Sequence, residues 1–283
     1  MTPPVTQPPS LVRVAIVPSA AVSRQAVIEA MFAGGAEALE EQGDMLVTAL
    51  DGPRAAEVVK SVHLADAAAN VETTDAPTVD WATAWRAQIR AHTVGLLTVS
   101  PPWLAAPFLP ERTVVIEPAM AFGTGDHATT RGVLLLMQDV VRADDRVADL
   151  GAGSAVLAIA AAKLGAARVA AIELDPDAIG NAEDNVIANG VADRVTVIEG
   201  DAATLLPLVA PVRVVFANIV SLAIRDLLDV IASSLAPDGV AIFSGMLASE
   251  RDAMRAYFES SGWILGREVI EGEWWTIAAT RRA

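Results

Sequence analysis

Six residues, Asp149-Leu150-Gly151-Ala152-Gly153-Ser154, stand between an apolar run and a helical one. Glycine has no Cβ, so Gly151 and Gly153 let the backbone approach a bound molecule closely. Asp149, just before the turn, can hold a ligand cation or orient its amine. A dinucleotide fingerprint needs a third glycine where Val156 stands, and a phosphate loop needs a following Gly-Lys-Ser/Thr; neither is present. The alternative reading is a tight strand–helix turn with no ligand.

Glu173 lies 22 residues past Gly151, at the end of the next strand-like run. A carboxylate there can accept hydrogen bonds from two ribose hydroxyls. A plain surface acid is the alternative, since Asp175 and Asp177 are close by. Both NAD and S-adenosylmethionine carry a ribose diol, so Glu173 alone does not separate them. Asp149 ahead of the glycines, the missing third glycine and a C-terminal hairpin favour the methyl donor.

Asn218, in Ala217-Asn218-Ile219, ends a further strand-like run. An amide at a strand tip can accept hydrogen bonds from a substrate amine, or it can cap the helix that follows. Asp201 either reaches an adenine ring or is a loop acid. The stretch Ala121-Phe122-Gly123-Thr124-Gly125-Asp126-His127-Ala128-Thr129-Thr130 reads as a polar loop, with Thr129 or Thr130 capping a helix over 131–141. His127 is either a base or a structural histidine.

The elements that must position these residues alternate regularly. Strands are expected over 146–150, 168–173, 195–199, 212–217 and 240–244, with helices over 154–164, 176–189, 222–235 and 249–260. This alternation implies a parallel sheet covered on both faces. Runs 263–270 and 274–280 are joined by Glu271-Gly272-Glu273, which is too short for a parallel crossover, so they form an antiparallel hairpin. The fold class is α/β: a Rossmann-like, seven-stranded, mostly parallel sheet with a C-terminal antiparallel hairpin, plus a small N-terminal α+β domain. Ligands bind such sheets beyond the carboxyl ends of the strands.

Upstream, 11–17 and 45–50 read as strands and 23–41 and 54–64 as helices. Asp80 can cap a helix through Trp81, Trp85 and Ile89, with strands over 96–99 and 113–117 beyond it. The division is a disordered tail over 1–9, an N-terminal domain over 10–75, a linker helix over 76–94 and a catalytic domain over 95–283.

The chain has 283 residues, 53% of them hydrophobic, no cysteine and a formal charge of −15. Disulfides and thiolate metal sites are excluded. His63, His92 and His127 make no metal spacing. The acidic balance argues against direct nucleic-acid binding and fits a basic partner. No signal peptide or membrane-spanning run is present, so a cytoplasmic location is expected.

Together these residues resemble the PrmA family, the methyltransferases of large-subunit ribosomal protein eleven. The resemblance spans nearly the whole chain. Its most specific piece is Ala121-Phe122-Gly123-Thr124-Gly125 with His127 and Thr129-Thr130. Others are Asp80-Trp81 with Trp85, Pro102-Trp103, 157–161 with 163–166, Ala217-Asn218-Ile219, Ser244-Gly245 and Glu273-Trp274. It implies S-adenosylmethionine as cofactor, contacted by Thr130, Gly151, Glu173 and Asn218, to which we add Phe122, Asp149, Gly153 and Asp201. It also implies that the N-terminal domain recognises the basic ribosomal protein and that the linker lets the domains reorient. The chain departs from the family's pattern in having Ala155 for the third motif glycine, Glu173 for Asp, Asp126 for Thr and Glu117-Pro118-Ala119 for Asp-Pro-Gly.

The chemistry expected is in-line transfer of a methyl group to an amine of that protein, a lysine or the N-terminus, with Asn218 orienting the amine. Methyl transfer to another protein or a small amine, and a nicotinamide-dependent oxidoreductase, are the alternatives.

Overall fold

The computed structural model describes residues 11–75, 86, 89–118 and 125–282. They fall into two compact units divided between residues 88 and 89. The tail over 1–9, the tryptophans of the expected linker helix and Phe122 lie outside the described residues.

In the first unit, β1 (Leu11–Val17), β3 (Met45–Asp51), β2 (Glu40–Gln42) and β4 (Asn70–Asp75) form an antiparallel sheet ordered β2-β3-β1-β4. Helices α1 (Arg24–Ala33) and α2 (Gly52–Ala65) bury Val27, Met31, Val58 and Val62 with Val14, Ile16 and Leu46. The helix expected over 23–41 stops at Ala33. Gly34 and Gly35 follow, with Gly35 at φ 105°, and a Cβ on Gly34 would lie 2.7 Å from the Val58 Cα. Two helices approach closely there, so the chain turns away and 40–42 pair with β3. The sequence of β4, Asn-Val-Glu-Thr-Thr-Asp, leaves only Val71 partly buried and so carries no apolar alternation.

The second unit begins with a small sheet of β5 (His92–Val94), β6 (Leu97–Ser100) and β7 (Thr113–Val115). His92–Val94 is therefore strand, where the linker helix was expected to continue to residue 94. After α3 (Ala128–Val140) the alternation runs β8 (Arg146–Leu150), α4 (Val156–Lys163), β9 (Arg168–Glu173), α5 (Pro176–Ala188), β10 (Val195–Glu199), α6 (Ala202–Val209), β11 (Val212–Asn218), α7 (Ser221–Ser234), β12 (Leu235–Leu247), α8 (Arg251–Ser260), β13 (Trp263–Glu271) and β14 (Trp274–Arg281). Strand order is β10-β9-β8-β11-β12-β14-β13, and only β14 runs antiparallel to its neighbours.

The order reverses between β8 and β11, which places the crevice for a ligand at their carboxyl ends. One face of the sheet is covered by a core that includes Val133, Met137, Leu157 and Val186; the other buries Leu228, Phe258, Trp263 and Trp275. Helix α4 buries Val156 through Ala162, so it is apolar all round and shows no polar stripe. Helix α6 was not expected; it is short and contains Pro207.

Candidate functional site

The turn after β8 is built from left-handed backbone. Gly151, Gly153 and Ala155 have φ of 70°, 52° and 64°. The N–H groups of Gly151 and Ala152 both donate to the Ile172 carbonyl, at 2.9 and 3.1 Å, tying the turn to β9. A Cβ on Gly151 would lie 2.6 Å from Ile219 Cγ2, so only glycine fits. Ala155 is fully buried in the apolar core, so its methyl is packed in the core, not in the crevice.

Glu173, at the end of β9, faces this turn. Gly153 N donates to its Oε2 at 2.7 Å, and Asp175 N to its Oε1 at 2.9 Å. A carboxylate has about four lone-pair sites, so roughly two remain for ligand hydroxyls. Asp149 is wholly buried; its Oδ2 accepts from Ala158 N at 3.0 Å, while Oδ1 has no partner among the described residues. Burial, and then the nearby charge of Glu173, push its carboxyl up to about 7, against the weaker pull of the Ala158 bond.

A cavity of about 470 Å³ opens at the ends of β8, β9 and β11, lined by Gly151, Glu173, Asp201, Leu150, Ile172 and Ile219 among others. Asp201 lines the cavity and also caps α6 by accepting from Ala203 N at 2.9 Å. Apolar walls with an acid on one rim can hold a flat ring with its ribose turned to Glu173.

Asn218 is the last residue of β11, and the N-cap of α7 is Val220, which excludes the capping alternative. Its Nδ2 lies 3.5 Å from Thr130 Oγ1, and its Oδ1 is buried with no partner among the described residues. Thr129 and Thr130 are not caps. His127 caps α3, its Nδ1 accepting from Thr129 N, and its ring meets Trp274 edge-on at 4.8 Å. Both threonines are buried in the first turn, where the Thr129 carbonyl accepts from Ser244 Oγ at 3.1 Å and Ser244 shares a 2.6 Å bond with Thr276. Gly245 is demanded by the same packing: at φ 84°, a Cβ there would lie 2.4 Å from the Ile219 carbonyl oxygen.

One feature of the site was missed from the sequence. Asn181 and Asn185 of α5, and Asn189 at its C-cap, serve as side-chain partners for the backbone at the end of β7 and just beyond it. Val115 N donates to Asn189 Oδ1 at 2.8 Å and Glu117 N to Asn185 Oδ1 at 2.9 Å. Asn189 Nδ2 donates back to the Val115 carbonyl at 2.6 Å, and Asn185 Nδ2 to that of Ser154 at 3.1 Å. Three asparagines four residues apart on one helix were the available signal. The strand expected over 113–117 shortens to β7: Ile116 N still donates to the Ser100 carbonyl of β6 at 3.0 Å, but Glu117 N turns to Asn185.

Strand order and the crevice at its switch point are those of the Rossmann-like class I methyltransferase fold. The description "Ribosomal protein L11 methyltransferase (PrmA)" matches residues 12–282, and the chain belongs to that family. It is 39% identical over 210 residues to a ribosomal protein L11 methyltransferase of Heliobacterium modesticaldum, covering 74% of this chain and 66% of that protein. It is 34% identical over 251 residues to the one of Exiguobacterium sibiricum, covering 87% and 78%. The chain spans just under two thirds of the length of several of these relatives: 66% of the Heliobacterium protein and 64% of a ribosomal protein L11 methyltransferase of Desulfitobacterium hafniense. A crystal structure of ribosomal protein L11 methylase from Lactobacillus delbrueckii subsp. bulgaricus superposes with a TM-score of 0.61 at 27% identity, covering 69% of this chain and all of that one.

Proposed function

We propose that this chain transfers methyl groups from S-adenosylmethionine to amine nitrogens of ribosomal protein L11, on lysine side chains, the N-terminus or both. The observation that carries the reading is the buried, unpartnered Oδ1 of Asn218 at the tip of β11, beside a crevice rimmed by Glu173. A buried acceptor without a donor costs about 1–3 kcal/mol, which an N–H from a bound substrate amine recovers.

The residues present fit the methyl donor. Glu173 would hold the ribose diol, Gly151 and Gly153 would admit the backbone-side edge, and Asp149 would balance the cationic end. Asp201 and the apolar walls would flank the adenine, with Thr130 holding Asn218 in place. When bound, S-adenosylmethionine supplies a methyl group already activated on a sulfonium. The protein's work is then alignment and exclusion of water.

A lysine must arrive neutral, which costs about 4 kcal/mol at pH 7.4 from a pKa near 10.4. Desolvation against the apolar rim lowers that pKa. Positive charge is only redistributed in the transfer, so no strong base is assigned; the Nδ1 of His127 already serves the cap of α3. The net charge of −15 attracts a basic ribosomal protein, and the N-terminal unit would recognise it. Among the described residues no helix is long and apolar enough to cross a membrane.

The test is mass spectrometry of purified ribosomal protein L11 after incubation with this chain and isotopically labelled S-adenosylmethionine. Labelled methyl groups on lysine or the N-terminal amine support the reading. An unmodified protein, or label only on another substrate class, refutes it.

A further inference from the structure

The first turn of α3 carries Thr130, whose Oγ1 is 3.5 Å from Asn218 Nδ2, and Thr129, whose carbonyl accepts from Ser244 Oγ. The angle of that turn therefore sets where the Asn218 amide stands. The body of α3 is anchored by its core residues, with Val133, Leu134, Leu136 and Met137 buried. The turn also lies close against β14, since a Cβ on Gly132 would be 2.3 Å from Thr276 Oγ1.

Arg131, on the same turn, reaches two separate segments. Its Nη2 and Nε donate to Glu271 Oε1 at 2.6 and 3.0 Å, and Nε lies 3.3 Å from Oε2, a fork on the carboxylate that ends β13. Its Nη1 donates to the Asp126 carbonyl and lies 3.5 Å from Asp126 Oδ1. The same Oδ1 is 3.1 Å from His92 Nε2 on β5. One residue earlier, Gly125 takes φ 85° against β6, where a Cβ would be 2.5 Å from Val99 Cγ1. The start of α3 is thus held from the C-terminal hairpin and from the small sheet, and Arg131 joins the two.

The carboxylates of this network are open to solvent, with Asp126 74% and Glu271 45% exposed. Exposed ion pairs contribute little to stability, so the network is not what keeps α3 folded. A planar guanidinium with a rigid fork does fix direction. We propose that Arg131 is a positioning residue for methyl transfer: it sets the first turn of α3 between Asp126 and Glu271, so that Thr130 keeps the Asn218 amide in place. The proposal rests on the methyl-transfer reading and adds to it a group that acts through Thr130. A misplacement of about 1 Å costs a reaction about 100-fold, so a small rotation of this turn is read in rate before it is read in binding.

The test compares the full chain with Arg131→Ala and Glu271→Gln. Single-turnover methyl transfer to ribosomal protein L11 is measured beside S-adenosylhomocysteine affinity, thermal melting and the NMR signal of the Asn218 side-chain amide. Arg131→Ala is expected to slow transfer about tenfold or more and to move the Asn218 signal, with S-adenosylhomocysteine affinity within about threefold of the parent and melting little changed. Glu271→Gln is expected to do the same to a smaller degree. Free guanidinium ion is expected to restore rate and signal in Arg131→Ala, and to leave Asn218→Ala as slow as before. Unchanged rate and Asn218 signal in both variants would overturn the proposal, and so would a rate loss that tracks a fall in melting temperature and resists guanidinium. A parent chain that leaves L11 unmodified fails the methyl-transfer reading; the Asn218 signal then decides the role of Arg131, and a signal unmoved in Arg131→Ala overturns it.

Discussion

The carboxylate of Glu173 accepts the backbone N–H of Gly153 at 2.7 Å, joining the tip of β9 to the glycine turn after β8. One side chain thus fixes the shape of the turn and presents its remaining lone pairs to the crevice. Hydrogen bonds to a charged group contribute about 1.5–3 kcal/mol each. Glu173→Gln keeps the length and removes the charge. It is expected to weaken S-adenosylhomocysteine binding by about 10- to 100-fold, read by calorimetry. Unchanged affinity would remove Glu173 from the ribose.

Asn218→Ala deletes the orphaned acceptor, and Asn218→Asp retains it. The alanine variant is expected to lose about 100-fold or more in kcat for methyl transfer while binding S-adenosylhomocysteine within about threefold of the parent. Single-turnover kinetics with labelled donor separate the two effects. Equal losses in binding and transfer would make Asn218 a general support of the crevice.

Asp149 titrates near 7, far above the ordinary 3.8, because burial and then the charge of Glu173 disfavour its ionised form. The folded state therefore holds a proton that the unfolded chain releases near pH 4. The stability this contributes is full below about pH 4 and is lost as pH rises to about 7. Asp149→Asn removes the titration. Urea denaturation is expected to show this variant gaining on the parent by more than about 1 kcal/mol between pH 5 and pH 8. Parallel profiles would mean that Asp149 is ionised throughout. A cationic ligand end beside it lowers its pKa, so donor affinity in the parent should rise across the same range.

Asn185 bonds both Glu117 N and the Ser154 carbonyl, so it couples the segment after β7 with the glycine turn. Asn185→Ala removes both hydrogen bonds, a cost of about 1–3 kcal/mol. Asn185→Asp keeps the acceptor for Glu117 N and loses the donor to Ser154. The aspartate variant is expected to raise KM for S-adenosylmethionine several-fold with kcat little changed. A change confined to thermal stability would show that the ladder only holds the fold.

Much of the second unit was legible because its physics is local. Strands 146–150, 168–173 and 195–199 are short apolar runs ended by turn residues, and the structure has them at the same residues. What failed has a tertiary cause. Thr129 and Thr130 have the composition of caps, but Ser244 and Asn218 draw them into the first turn of α3, and His127 takes the cap. Ala155 stands where a left-handed backbone favours glycine, and its burial in the core follows only from how α4 packs. The asparagine ladder joins residues 64 to 74 positions apart, beyond any local pattern.

The most direct test is a crystal structure of the chain with S-adenosylhomocysteine. Density is expected in the cavity lined by Gly151, Glu173 and Asp201, with both ribose hydroxyls on Glu173 and the sulfur turned toward Asn218. A ligand bound elsewhere, or one with its ribose away from Glu173, would contradict the assignment.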